Sequence, residues 1–204
     1  MSTTAATSSQ PTSAGSPPDL RGAVLAAQGW VAGLLEGVDR TQLGARTPCA
    51  DFDVEALVKH LFGVAERLVV MGAGRPAESV PASVEVLPDD VVAGYRVRVA
   101  QGRDAWADPA SVERLVEAPF GRVPGAAVLG VYLAENLTHG WDLATATGQD
   151  AEADPALVGP ADAMMRRVLP AEGRQDVPFD LPVQPAADAG PTERLANWLG
   201  RCSR

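Results

Sequence analysis

The stretch from Pro124 to Thr147 is the longest apolar run in the chain, yet it contains Glu135, His139 and Asp142. At about 3.6 residues per turn, their spacing places all three on one face of a helix. Most of the remaining circumference is apolar, which is typical of a helix buried inside a helical protein. A carboxylate and an imidazole in such an interior are costly unless they are paired, hydrogen-bonded or bound to a cation. The rest of the chain must therefore supply a partner for them.

The only other histidine, His60, lies in a second segment with helical spacing, DFDVEALVKHLFGVAERLVVMG. The apolar stripe of that segment consists of Leu57, Leu61, Val64 and Leu68. His60 lies beside this stripe, so both histidines are predicted to point towards a core. Two imidazoles and one carboxylate from two facing helices would make a three-ligand metal site with one position left for water. That arrangement is typical of catalytic rather than purely structural zinc.

The length and composition suit one domain. A chain of 204 residues with 46% hydrophobic residues can bury a full-sized core. Residues 1–18 are rich in Ser, Thr, Pro and Ala and are predicted to form a disordered tail. Residues 19–204 are then expected to form a single helical domain.

Charge and cysteine content limit the partners and the compartment. The formal net charge is -9, the pI is about 4.7, and Lys59 is the single lysine. Without a Lys/Arg cluster, we expect neither a nucleic-acid nor an anionic-membrane partner. The polar residues of the long apolar run argue against a membrane span, and no signal peptide is evident. Cys49 and Cys202 fit no disulfide framework, so we expect reduced thiols in a cytoplasmic protein.

Helical spacing and end signals predict six helices. They cover residues 19–37, 53–72, 89–107, 124–147, 154–169 and 192–199. Asp53 and Thr192 are the predicted N-terminal caps of the second and last helices, and Gly148 follows the end of the fourth. Residues 114–123 could form a short strand or hairpin. Four helices of bundle length joined by loops indicate an all-α helical bundle.

Four segments of the chain resemble a known family. They are TPCADFDVEALVKHLFG, APFGRVPGAAVLG, AENLTHGWDLATATGQ and PVQPAADAGPTERLANWLGR. They are similar to the actinobacterial metal-binding family related to the N-terminal domain of mycothiol-dependent maleylpyruvate isomerase. That family belongs to the DinB-like, or YfiT-like, group of four-helix bundles. The similarity covers nearly everything after the N-terminal tail.

The resemblance implies a DinB-like four-helix bundle with extra short C-terminal helices, and it implies a ligand set. His60, Glu135 and His139 match the family's divalent-metal ligands, with zinc as the expected ion. Asp142 matches an acidic position that orients a ligand or closes the site. The isomerase continues into a second domain, whereas only a short segment follows Gly148, so the isomerase reaction itself is not carried over.

Two functions are compatible with this site. A divalent ion held by two neutral imidazoles and one carboxylate keeps a net positive charge and favours a thiolate or an acidified water. The first function is a thiol-dependent transferase or isomerase, with mycothiol as co-substrate and a small electrophile as partner. The second is a metal-stabilised binding or stress-response protein without turnover. The sequence identifies no electrophile, and it leaves a homodimer open.

Other roles for the same residues remain open on sequence alone. Each histidine taken singly could be a hydrogen-bonded core residue. Glu135 could form a buried ion pair with Arg67 or Arg96. Asp142 could accept a hydrogen bond from His139 or from the backbone.

Several enzyme classes find no support in the sequence. There is no GxSxG, GxGxxG or P-loop pattern. A di-iron carboxylate bundle needs Glu three residues before each histidine, where this chain has Leu57 and Asn136. Cys49 is expected to be a packed thiol rather than a nucleophile.

Overall fold

The computed structural model describes residues 18–175, 177 and 179–202. The predicted tail therefore lies outside the described residues, apart from Pro18. The helices in the described part are α1 (Arg21–Glu36), α2 (Val54–Gly72), α3 (Val91–Ala105), α4 (Gly125–Thr147), α5 (Pro155–Val168) and α6 (Pro191–Trp198). Short 3-10 turns are formed by Arg40–Gln42, Ala77–Ser79 and Pro109–Val112. The predicted all-α class is confirmed.

A single antiparallel hairpin precedes α4 in the described chain. Its strands are β1 (Leu115–Ala118) and β2 (Gly121–Pro124), with Leu115 opposite Pro124 and Ala118 opposite Gly121. The hairpin option for residues 114–123 is thus the correct one. Pro119 lies in the turn and Gly121 at the first position of β2, so neither interrupts the pairing of the strands.

Two of the predicted helix ends are found where the sequence places them. The Asp53 carboxylate accepts a hydrogen bond from the backbone N–H of Ala56 at 2.8 Å, as an N-terminal cap does. Gly148 follows α4 with a φ of 71°, the left-handed conformation that glycine adopts readily at a helix end. These two ends bound the segments that carry His60 and His139.

The predicted cap at Thr192 is wrong. Helix α6 begins at Pro191, which has no N–H to satisfy, and Thr192 lies inside the first turn. The carboxylate of Glu152 caps this helix instead, accepting from the N–H of Thr192 at 2.9 Å and of Glu193 at 3.2 Å. The Thr192 hydroxyl accepts a hydrogen bond from Ala153 N–H at 3.0 Å, so a tertiary contact decides its role.

Helix α4 is the central element of the fold. It packs against α1, α2, α5 and α6, while α3 packs against α1 and α2. The four long helices α1 to α4 therefore contact one another in a ring, the neighbour pattern of a four-helix bundle. The fully buried leucines of α4 are Leu129, Leu133, Leu137 and Leu143. Apolar as α4 is, none of the described helices combines the length and hydropathy needed to cross a bilayer.

The loop after α2 folds back onto this helix beside His60. A Cβ at Gly63 would lie 2.1 Å from the backbone oxygen of Ala82, so only glycine permits this approach. The approach brings the Ser83 hydroxyl to 3.4 Å from Nδ1 of His60. This loop therefore contacts one ring nitrogen of His60 and leaves the other, Nε2, facing α4.

Candidate metal centre

His60 of α2 meets Glu135 and His139 of α4 at one point between the two helices. Nε2 of His60 lies 3.1 Å from Oε1 of Glu135, and Nε2 of His139 lies 3.5 Å from the same oxygen. One ligand atom from each residue can be chosen so that all three lie within 4.8 Å of one another. The structure therefore brings together the three residues that the sequence predicts as ligands.

The spacing of these atoms fits a divalent ion. With bonds of about 2.0–2.1 Å, neighbouring ligands of a tetrahedral zinc site lie ~3.3 Å apart. The two distances to Glu135 Oε1 are 3.1 and 3.5 Å, one on each side of that value. Imidazole nitrogen and carboxylate oxygen are both donors that zinc accepts. The three side chains could thus hold such an ion without rearrangement of the two helices.

The charges of Glu135 and His139 are strongly coupled. Burial alone would raise the pKa of Glu135, but the His139 and His60 imidazoles hold that pKa well below its usual range. Burial alone would lower the pKa of His139, but the Glu135 and Asp142 carboxylates raise it to about 9. Without a metal, a protonated His139 compensates the carboxylates of Glu135 and Asp142. A bound cation would replace that proton, because a histidine ligand must be neutral.

Asp142 lies behind His139, on the side away from Glu135. Its Oδ2 accepts a hydrogen bond from Nδ1 of His139 at 3.0 Å, and the side chain is completely buried. Nε of Arg201 contacts the same oxygen at 3.1 Å. Of the roles left open for Asp142, hydrogen bonding to His139 is the one observed. It therefore fits an orienting role and does not close the position in front of the ligand atoms.

The alternative ion pair between Glu135 and an arginine is not found among the described residues. Arg96 pairs with Glu36. Arg67 lies near Tyr132, where it opposes the rise in the pKa of the phenol that burial causes. The ion pairs of Glu135 in the described chain are those with the two histidines.

A second group of possible ligands overlaps the first. Cys49, His139 and Asp142 also offer ligand atoms within 4.8 Å of one another. Burial raises the pKa of the Cys49 thiol in the metal-free protein. Asp142 already has the Arg201 cation as its partner. The group of His60, Glu135 and His139 is therefore the better candidate, and Cys49 is a buried thiol as predicted.

The three candidate ligands line a cleft of about 850 Å³. Its other walls combine apolar side chains with guanidinium groups, and include Phe52, Val64, Arg67, Phe120, Val131, Tyr132, Arg174, Phe179 and Arg201. Phe52 stacks on His60, with the ring centroids 4.9 Å apart. Phe120, at the turn of the hairpin, is 48% exposed. The site is therefore reachable from solvent, and its walls can accept a small organic molecule.

Sequence reasoning missed two contributors to this centre. Arg201 is 59 residues away from Asp142 along the chain, and no periodicity connects them. Phe52 directly precedes Asp53, the N-terminal cap of α2, and its stacking on His60 depends on how the preceding loop closes. Neither contact follows from helical spacing, because the first joins distant segments and the second depends on the fold of a loop.

The fold is all-α, and two histidines and one glutamate face an open cleft. These features define a helical protein with a candidate metal centre. Residues 24–144 match the family described as the mycothiol maleylpyruvate isomerase N-terminal domain. The chain belongs to this family. Its domain is DinB-like and is related to domains of mycothiol enzymes. The predicted family is thereby confirmed.

Relatives of similar length occur in mycobacteria. The uncharacterized proteins MT0763 and Rv0738 of Mycobacterium tuberculosis, from strains CDC 1551 / Oshkosh and ATCC 25618 / H37Rv, are each 34% identical over 185 residues. The matched region covers 87% of this chain and 95% of each relative. No solved structure matches this chain significantly.

Proposed function

We propose that His60, Glu135 and His139 bind one zinc ion, and that the protein is a thiol-dependent transferase or isomerase acting on a small electrophile. The observation that carries this proposal is the convergence of three ligand atoms on a solvent-reachable cleft, with Asp142 placed behind His139. A structural zinc site would need a fourth side chain in front of the ligands. Among the described residues, no fourth His, Cys, Asp or Glu offers a ligand atom within 4.8 Å of all three.

The co-substrate in this proposal is a low-molecular-weight thiol of the mycothiol type. The family's description names mycothiol, and the cleft is large enough for such a molecule. A bound divalent ion would supply a Lewis-acid position that lowers the pKa of an incoming thiol. Glu135 contributes the single negative charge among the ligands, so the centre keeps a net positive charge that favours an anionic sulfur.

The cleft walls would position the electrophile. Phe52 and Phe120 offer aromatic surface for its apolar part. Burial raises the pKa of the Tyr132 phenol, so this hydroxyl stays protonated at neutral pH. Tyr132 lies three residues before Glu135, on the same side of α4, and lines the same cleft. It can therefore donate a hydrogen bond to an electrophile held beside the ligands.

We expect a thiol to change the visible and near-ultraviolet spectrum of the cobalt-substituted protein. The test uses a Cys49→Ala/Cys202→Ala double variant, so that no protein thiol contributes, and N-acetylcysteine as the thiol. A new sulfur-to-cobalt band that saturates with N-acetylcysteine, but not with N-acetylserine, would support thiol binding at the metal. An unchanged spectrum at saturating thiol would favour the non-catalytic, metal-stabilised protein.

A further inference from the structure

We propose that Arg201 is a positioning residue of the metal centre, acting through Asp142 on His139. The proposal rests on the metal site proposed above. Arg201 lies outside residues 24–144, so the family match assigns it no role. The contact that carries the proposal is the shared oxygen Oδ2 of Asp142, which lies 3.0 Å from His139 Nδ1 and 3.1 Å from Arg201 Nε.

Asp142 needs a permanent cation to act on His139. The side chain is fully buried, and its Oδ1 has no hydrogen-bond partner within the described residues. A buried carboxylate is costly unless it is paired with an opposite charge and hydrogen-bonded. Its charged neighbours are His139, which must be neutral when it binds a metal, and Arg201, which always keeps its positive charge. The Arg201 guanidinium therefore holds the Asp142 carboxylate in place against His139.

The hydrogen bond to the Asp142 carboxylate fixes both the tautomer and the orientation of His139. Accepting the hydrogen bond from Nδ1 leaves Nε2 unprotonated once a metal is bound, and Nε2 is the atom that faces Glu135. Carboxylates behind histidine ligands act in this way at metal sites, and removing such a partner weakens metal binding. Arg201 extends this chain of contacts by one residue.

The C-terminal segment holds Arg201 in place. The N–H of Arg201 donates to the Ala196 carbonyl at 2.9 Å, and Nδ2 of Asn197 donates to the Arg201 carbonyl at 3.0 Å. Gly200 turns the chain after α6 with a φ of 89°, a conformation that disfavours other residues. Helix α6 itself packs against α4. The segment after α6 thus carries the guanidinium to Asp142.

The test compares zinc affinity in Arg201→Gln, Arg201→Lys and Arg194→Gln proteins, measured by competition with a chromophoric chelator. Arg194 is the matched control, because it lies on α6 and donates to the carbonyls of Ala189 and Ala187. We expect Arg201→Gln to weaken zinc binding about 10- to 100-fold, as other partners of metal ligands do. Arg201→Lys retains a positive charge and should bind zinc more tightly than Arg201→Gln. Arg194→Gln should match the wild type.

A second measurement separates positioning from general stability. The visible absorption bands of bound cobalt report ligand geometry, so they should shift in Arg201→Gln and in Asp142→Asn but not in Arg194→Gln. If Arg201→Gln only lowered the melting temperature, with unchanged zinc affinity and cobalt bands, the positioning role would be overturned. Wild-type protein that bound no zinc would overturn the metal site as well, whereas equal binding by wild type and Arg201→Gln would overturn only the role of Arg201.

Discussion

Replacing His60 or His139 by alanine is expected to lower the zinc content of the protein from about one ion per chain to background. Each substitution removes one of the three ligands and leaves two, one of them the Glu135 carboxylate. Two ligands facing an open cleft do not retain zinc through dialysis against a weak chelator. Elemental analysis of the dialysed proteins measures the effect, and circular dichroism shows that the helices are intact.

The matched control for this experiment is Glu66→Gln. Glu66 lies on α2, as His60 does, but it does not line the cleft. Its Oε1 pairs with Nε of Arg98 at a distance of 2.8 Å. This variant should retain the full zinc content, whereas Glu135→Gln should lose it with the two histidine variants. Undiminished zinc in both His60→Ala and His139→Ala would show that the ligand assignment is wrong.

Zinc is expected to raise the melting temperature of the protein substantially. The ion would join α2 and α4 in the folded chain only, so binding adds RT ln(1 + [L]/Kd) to the free energy of unfolding. At free zinc 1,000 times the Kd this is about 4 kcal/mol. Each kcal/mol corresponds to about 2–4 °C for a domain of this size, so the melting temperature should rise by about 8–16 °C. Differential scanning fluorimetry of metal-free protein, with and without zinc, measures the shift.

Two variants show where the stabilising ion binds. His139→Ala should abolish the zinc-dependent rise, because His139 is a ligand in both candidate groups. Cys49→Ala should leave the rise intact, because Cys49 belongs only to the group that we reject. A rise that persisted in His139→Ala would place the stabilising zinc elsewhere on the chain.

The zinc-dependent rise in melting temperature and its loss in His139→Ala do not depend on whether the protein is an enzyme. A catalytic centre and a purely structural ion would both stabilise the fold, because both link α2 to α4. The thiol response of the cobalt protein separates them, since only an open coordination position accepts a sulfur. The cleft in front of His60 and the placement of Asp142 behind His139 are the reasons to expect such a position.

Local patterns in the sequence predicted the elements that carry the site. A repeat of 3.6 residues per turn fixes which side chains share a face of a helix. It places His60 beside the apolar stripe of α2, and it places Glu135 and His139 on one face of α4. Asp53 and Gly148 end their helices for reasons that are contained within a few residues. Such features depend on the immediate chain and can be predicted without the fold.

Contacts between distant segments could not be predicted in the same way. Arg201 meets Asp142 only because α6 returns to pack on α4. Thr192 has the residue type of a cap, yet Glu152 takes that role because the loop between α4 and α5 packs against the start of α6. The stacking of Phe52 on His60 likewise depends on loop closure. The ligand set was therefore accessible from sequence, whereas the residues that surround it were not.

The X-ray absorption spectrum of zinc bound to the wild-type protein tests the ligand assignment most directly. We expect only nitrogen and oxygen donors at about 2.0–2.1 Å, with the multiple-scattering signature of two imidazoles. A sulfur donor at about 2.3 Å would place the ion on Cys49. That result, or the absence of a second imidazole, would contradict a centre formed by His60, Glu135 and His139.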